Sequence, residues 1–256
     1  MVRYPLILAV SLTALLSLAA SGADAASVPA NIKAAVADNN RPDADKQRDA
    51  NRKPAETLAF ISVKPGQSVA ELLPGGGYFT RIFSGAVGAK GHVYALVPER
   101  PSDAPANLPD LAAGAKAVAA DSHYSNVTVV VAPLATLATP APVDLVFTAQ
   151  NYHDLHNFPV DVVGFNRQVL KSLKPGGLYV VLDHSAEAGS GLRDTKTLHR
   201  IDAEVVKKEV TDAGFEFVGA GDILANAADP RTAGVFDPSI RGKTDQFILK
   251  FRKPKK

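Results

Sequence analysis

Three segments of this chain hold side chains whose types and spacing could do chemistry. They are Glu71-Leu72-Leu73-Pro74-Gly75-Gly76-Gly77, Gln150-Asn151-Tyr152-His153-Asp154-Leu155-His156, and Asp183-His184-Ser185. An imidazole at His153 or His184 could take a proton from an oxygen or nitrogen of a bound molecule, with Asp154 or Asp183 orienting the ring and Tyr152 positioning the molecule. The same groups suit a metal: His153 and His156 are three apart, and His184 and His199 could join them with Asp154 or Asp183 as zinc ligands. They could equally cap loops and satisfy backbone groups. The glycine run could let a ligand approach the backbone at a helix N-terminus, or could simply be a tight turn.

The flanking elements decide whether these segments meet. Val69 to Leu73 reads as a strand, PGGG as a turn, and YFTRIFSGAVG as a helix with Phe79, Ile82, Phe83 and Val87 on one face before Gly88. Further strands are expected at His92 to Val97, Val127 to Ala132, Val143 to Thr148 and Leu178 to Leu182. Helices are expected at Leu108 to Ala120, Phe158 to Leu173 (stopped by KPGG) and Thr195 to Ala213. The strands are continuously apolar, as in a sheet covered on both faces. Phe215 to Gly219 and Thr244 to Phe251 then read as two strands joined by a long loop. The pattern predicts a doubly wound α/β domain with a mostly parallel sheet, helices on both faces and a late antiparallel strand. In that architecture, strand-end loops line the ligand crevice, so the three segments should converge on one edge.

A chain of 256 residues with 46% hydrophobic and 21% charged residues accommodates one such domain. Its 28 basic and 26 acidic residues nearly balance, and the excess gathers in the terminal FRKPKK, which argues against a nucleic-acid-binding face. Arg3, an apolar run from Leu6 to Ala20, and the pattern Ala23-Asp24-Ala25 predict a secretory signal peptide over residues 1–25. The expected product is exported to the periplasm, with no membrane association after cleavage, and the absence of cysteine suits that compartment. Residues 26–53, rich in Ala, Asn, Asp, Arg and Lys, are expected to form an arm of mostly solvated short helices, and residues 54–256 the α/β domain. Arg200, on the expected last helix, could bind an anionic substrate or pair with Asp202 or Glu204; the loop from Asn226 to Arg241 could be a lid or equally a disordered insertion.

Read in order, VAELLPGGGYFTRIFS, GHVYALVPE, DLVFTAQNYHDLH, LKPGGLYVVLDH and DAGFEFV resemble the class I S-adenosylmethionine-dependent methyltransferases. More narrowly they resemble a group of exported bacterial predicted methyltransferases, over roughly Pro54 to Arg252. The resemblance implies S-adenosylmethionine as cofactor and Rossmann-like architecture. It places Glu71, Gly75, Gly76, Gly77, Tyr78 and Thr80 in the first cofactor motif, with Asn151 on the same edge. Leu73 stands where many members have another glycine. Val97 occupies the place of the acid that usually holds the ribose; Glu99, two residues later, is either its substitute, if the Pro98 turn aims it inward, or an exposed loop glutamate, and Ala132 and Pro133 replace the usual adenine-side acid. Three functions follow: methyl transfer to a small-molecule acceptor using Tyr152, His153, Asp154 and His184; a noncatalytic ligand-binding protein of the same fold; or a metal-dependent hydrolase or metal-binding protein.

Overall fold

The structure, a computed structural model, describes residues 28–100, 107, 109–136 and 139–255. The expected signal peptide lies outside the described residues. Three short helices open the described chain: α1 (Ala30–Val36), α2 (Asp43–Lys46) and α3 (Asp49–Arg52). They are less solvated than expected. Ile32 and Ala35 enter the core, and a Cβ added to Gly85 would stand 3.0 Å from the Ala35 Cβ, so α1 is packed tightly onto the domain. Arg41 is buried and donates to Asp49.

Helix α4 (Pro54–Ile61) begins with proline at a first-turn position that needs no N–H donor. Then come β1 (Ser68–Leu72), α5 (Tyr78–Val87), β2 (His92–Pro98), α6 (Ala113–Ala120), β3 (Val127–Ala132) and β4 (Val143–Ala149). The second half holds α7 (Val162–Ser172), β5 (Leu173–His184), α8 (Ala203–Asp212), β6 (Glu216–Gly221) and β7 (Gln246–Arg252). The sheet order is β3-β2-β1-β4-β5-β7-β6; the first five strands are parallel, and β7 inserts antiparallel between β5 and β6. The expected fold class is therefore the observed one. Two apolar clusters fill its faces, one beneath α5 and α6 and the other beneath α7 and α8. The two edge strands are the exceptions to full burial, with Val131 of β3 47% and Phe217 of β6 37% exposed. Among the described residues no helix is long and apolar enough to cross a membrane.

Helices α6 and α7 begin later than expected, at Ala113 rather than Leu108 and at Val162 rather than Phe158, and two further elements differ in ways that bear on the site. The KPGG run is not a separate stop before the strand: Leu173 already pairs with Val143, the register shifts, and pairing resumes at Leu178 opposite Leu145. Those four residues form an irregularity inside β5 that Gly176, at φ 78°, allows. The last helix starts at Ala203 rather than Thr195, because the Asp202 carboxylate accepts the Glu204 N–H as an N-cap and His199, at φ 54°, cannot continue a right-handed helix. That shift takes His199 and Arg200 off the helix and puts them in the loop at the end of β5.

Candidate functional site

The turn after β1 is open on one side and packed on the other, where a Cβ on Gly114 of α6 would collide with Gly75 O and stand 2.7 Å from Gly76 Cα. A Cβ built on Gly75 or Gly76 meets nothing within 4 Å, whereas one on Gly77 would stand 2.6 Å from Val118 Cγ2. Gly77 also holds φ 80°, so glycine is required there both by α6 and by the entry to α5. Leu73, at the place where the resemblance expects a glycine, adopts φ 51°, a conformation that glycine would take without penalty. The turn borders a crevice of about 720 Å³ at the carboxyl ends of β1, β2 and β4, within the size range of small-molecule sites. Val97, Pro133 and Leu134 form apolar wall, Leu111 and Phe158 are exposed at it, and Glu99, Asn151 and Asp154 supply polar groups. The Glu99 backbone N–H is bound to Ala132 O at 2.7 Å, which fixes the loop while its carboxylate remains exposed. The Asn151 amide donates to Leu73 O at 3.1 Å and Ala149 O at 2.6 Å, tying the end of β4 to the glycine turn.

Glu71, Tyr78 and Thr80 lie below this turn and do not line the crevice. Glu71 is buried in the central strand, bonded to Thr80, and burial pushes its carboxyl up to about 8 against the opposing effects of Thr80, Arg52 and Arg81. Tyr78 donates to Asp49 at 2.6 Å and carries the guanidinium of Arg52 4.7 Å above its ring. The short helices of the arm thus brace the first motif. Arg52, which the sequence did not single out, also donates to Gln150, and burial lowers its guanidinium to about 10. Its basic neighbours in the sequence offered no sign of that role.

The ends of β4 and β5 meet as expected. Asp183 is fully buried and accepts both the His153 backbone N–H, at 2.8 Å, and His153 Nδ1, at 2.9 Å. Burial pulls the His153 imidazole down, and Asp183 more than offsets it, leaving that group raised. His153 Nε2 then faces His199 Nδ1 at 3.3 Å and Asp154 Oδ1 at 3.4 Å. His184 points elsewhere: its Nδ1 meets Thr244 Oγ1 at 2.7 Å, and burial lowers it to about 4, so it is neutral near pH 7. A side-chain chain from Arg52 through Gln150, Gln246 and Thr244 reaches it.

Two expected roles fail on burial. Tyr152 is 1% exposed, accepts from Asn166 at 2.7 Å and donates to Glu209 at 3.0 Å, so it cannot position a molecule in the crevice. His156 also turns to Glu209, at 3.2 Å, and therefore does not join His153. A 3-10 helix over Tyr152–Asn157 sends the two histidines in different directions. Arg200 binds neither a helix neighbour nor the crevice. It is wholly buried, pairs with Asp229 at 2.8 Å, and donates to Ala233 O and Ser185 O. This anchor, with Arg231 on Asp245 at 2.9 Å and Val235 N on Leu198 O at 3.1 Å, holds the 226–241 loop down rather than leaving it a free lid.

No family model matches the chain, and no curated protein matches it. Solved structures do. A SAM-dependent methyltransferase from Aquifex aeolicus is 18% identical with TM-score 0.54, covering 83% of this chain and 98% of the other. The glycopeptide N-methyltransferase MtfA, complexed with S-adenosyl-L-methionine, is 16% identical with TM-score 0.52, covering 81% and 87%. The [4+2]-cyclase SpnF is 19% identical with TM-score 0.55, covering 82% and 81%. With its strand order and its crevice at the carboxyl edge, the chain has the Rossmann-like fold of the S-adenosylmethionine-dependent methyltransferases.

Proposed function

We propose that the protein transfers a methyl group from S-adenosylmethionine to a small-molecule acceptor. One observation carries the reading: a crevice of small-molecule size opens where the uncovered Gly75 backbone, the end of β2 and the end of β4 converge. The donor set fits the cofactor. The Glu99 carboxylate, exposed just beyond β2, can accept two hydrogen bonds from a ribose diol, and Val97, Pro133 and Leu134 suit a purine. Bound S-adenosylmethionine would supply an electrophilic methyl group. The chain would supply orientation, apolar cover from Leu111 and Phe158, and proton removal at Asp154 Oδ1, which lines the crevice and stands 3.4 Å from His153 Nε2.

The fold does not dictate the reaction, as a cyclase among the similar structures illustrates. The test is isothermal titration of the protein with S-adenosylmethionine and S-adenosylhomocysteine. Saturable binding is expected, weakened about tenfold by Glu99→Gln through loss of a charge-assisted hydrogen bond and abolished by Gly75→Arg, whose side chain would enter the open space beside the turn; because Gly75 holds φ 54°, that variant is read only with a wild-type circular dichroism spectrum. Absence of binding up to about a millimolar, where a site of about −4 kcal/mol still registers, would instead favour a binding protein for another ligand.

Export belongs to the same reading. We propose that residues 1–25 are removed after secretion, so the periplasmic protein should begin at Ala26 by mass; unprocessed chain confined to the cytoplasm would defeat this. An exported enzyme would need cofactor delivered from the cytoplasm.

A further inference from the structure

Among the described residues, His153, Asp154 and His199 alone bring three potential metal-ligand atoms within 4.8 Å of one another. The edges of that triangle are 3.3 Å from His153 Nε2 to His199 Nδ1, 3.4 Å from His153 Nε2 to Asp154 Oδ1, and 3.6 Å from His199 Nδ1 to Asp154 Oδ1. Ligand atoms about 2.0–2.1 Å from one tetrahedral ion stand about 3.3–3.4 Å apart. Octahedral neighbours at the same bond length stand only about 2.9 Å apart. The measured edges match the tetrahedral spacing.

The surroundings hold the three atoms in place. His153 gives Nδ1 to the buried Asp183 carboxylate, whose other oxygen takes the His153 backbone N–H, so with Nδ1 protonated the Nε2 lone pair faces His199 and Asp154. A carboxylate behind a ligating imidazole is the usual means of fixing its tautomer and direction. His199 presents Nδ1 from a left-handed backbone at φ 54°, and its ring stands edge-on to Phe236 at 5.0 Å. The loop carrying Phe236 is anchored by Arg200 on Asp229. Asp154 meanwhile lines the crevice.

We propose that His153 Nε2, Asp154 Oδ1 and His199 Nδ1 bind a zinc-class divalent cation at the crevice wall, with one coordination position left for water or for an oxygen, nitrogen or sulfur donor of the substrate. Coordination there would lower the pKa of that donor and favour its deprotonated, nucleophilic form. The inference rests on the methyl-transfer reading and refines it: with the cation bound, Asp154 Oδ1 is a ligand and no longer the proton acceptor, and acceptor activation passes to the cation, but metal binding stands whether or not S-adenosylmethionine binds.

The experiment is elemental analysis of untagged protein, as the cell matures it, purified without chelator, followed by stripping and calorimetric titration with Zn²⁺ alone. One equivalent of zinc and saturable rebinding are expected, with visible absorption of tetrahedral character after Co²⁺ substitution. His199→Ala and Asp154→Ala should lose the stoichiometric metal while keeping the wild-type circular dichroism spectrum, and Asp183→Asn should weaken binding about 10–100-fold. His156→Ala, altering a histidine bound to Glu209, should bind as wild type does. No stoichiometric metal together with no Zn²⁺ binding, retention of metal by the His199→Ala and Asp154→Ala proteins, or an octahedral Co²⁺ spectrum would each overturn the proposal. Titration with S-adenosylhomocysteine in the stripped protein reads the methyl-transfer hypothesis separately.

Discussion

Along one edge of the sheet, the turn after β1 leaves the Cβ side of Gly75 and Gly76 open, while the ends of β4 and β5 are closed by the paired side chains of His153 and Asp183. Gly75 and Gly76 have open space where a Cβ would be, and Glu99 stands in solvent at the crevice. Along the same edge, Asp183 is 0% exposed, and the backbone N–H and both ring nitrogens of His153 face partners. The first region has surface left over for a ligand. The second uses folding energy to hold titratable groups in a fixed relation, which is how a preorganised polar site is built. Changes in the two regions should therefore differ in what they cost.

The largest contrast is between two carboxylates. Asp183→Ala removes the buried partner of His153 and should lower unfolding free energy by about 3–5 kcal/mol, whereas Glu99→Ala, at an exposed position, should change it by about 0.5 kcal/mol or less. Chemical denaturation of both proteins checks this, and equal losses would break the comparison. Dependence on pH should separate the regions next. Glu71, beneath the glycine turn, is held up to about 8 by burial from an ordinary value of 4.5, so its contribution is complete below 4.5 and fades as pH rises through 8. Between pH 6 and pH 8 this should cost about 2 kcal/mol, and Glu71→Gln should flatten that alkaline slope. His184 has the opposite sign: lowered by burial from 6.5 to about 4, it contributes above 6.5 and loses that contribution as pH falls through 4. His184→Gln should flatten the acid slope without altering the alkaline one; thermal melts across pH test both.

The smallest effect is expected at the bare turn. Gly76→Ala meets no atom within 4 Å and Gly76 does not have positive φ, so the change should raise stability by about 0.4–1 kcal/mol through a less flexible unfolded chain. Gly77→Ala, one residue on, should destabilise because its Cβ would collide with Val118 Cγ2. Stabilities of the pair would show whether uncovered backbone in this turn is truly free of packing.

Much of this architecture was legible because the strands carry unbroken apolar runs: VTVVVA marks β3 to the residue, and β1, β2 and β4 fall within one residue of their expected ends. The meeting of the Asn151 to Asp154 segment with Asp183 follows from parallel strands ending on one edge. Less legible was which way each side chain faces. Tyr152, His153, Asp154 and His156 are nearly consecutive, but one turn of 3-10 helix sends Tyr152 and His156 to Glu209 and His153 to Asp183. The roles of Arg52 and Arg200 were not legible, because a sequence shows a charge and not the partner 98 or 29 residues away, half-buried Gln150 or buried Asp229.

By itself the sequence determined the order and kind of elements, the glycine turn after the first strand and the edge on which polar groups gather. These depend on local backbone preference and on the periodicity of apolar residues, both of which act over a few positions. Only the tertiary structure decided that Glu71 is buried under the turn, that Glu99 and Asp154 face the crevice, and that His199 rather than His156 meets His153. Those outcomes depend on contacts between residues far apart in the chain, 46 positions for His153 and His199 and 78 for Asn151 and Leu73, whose free energy exists only once the chain has closed on itself.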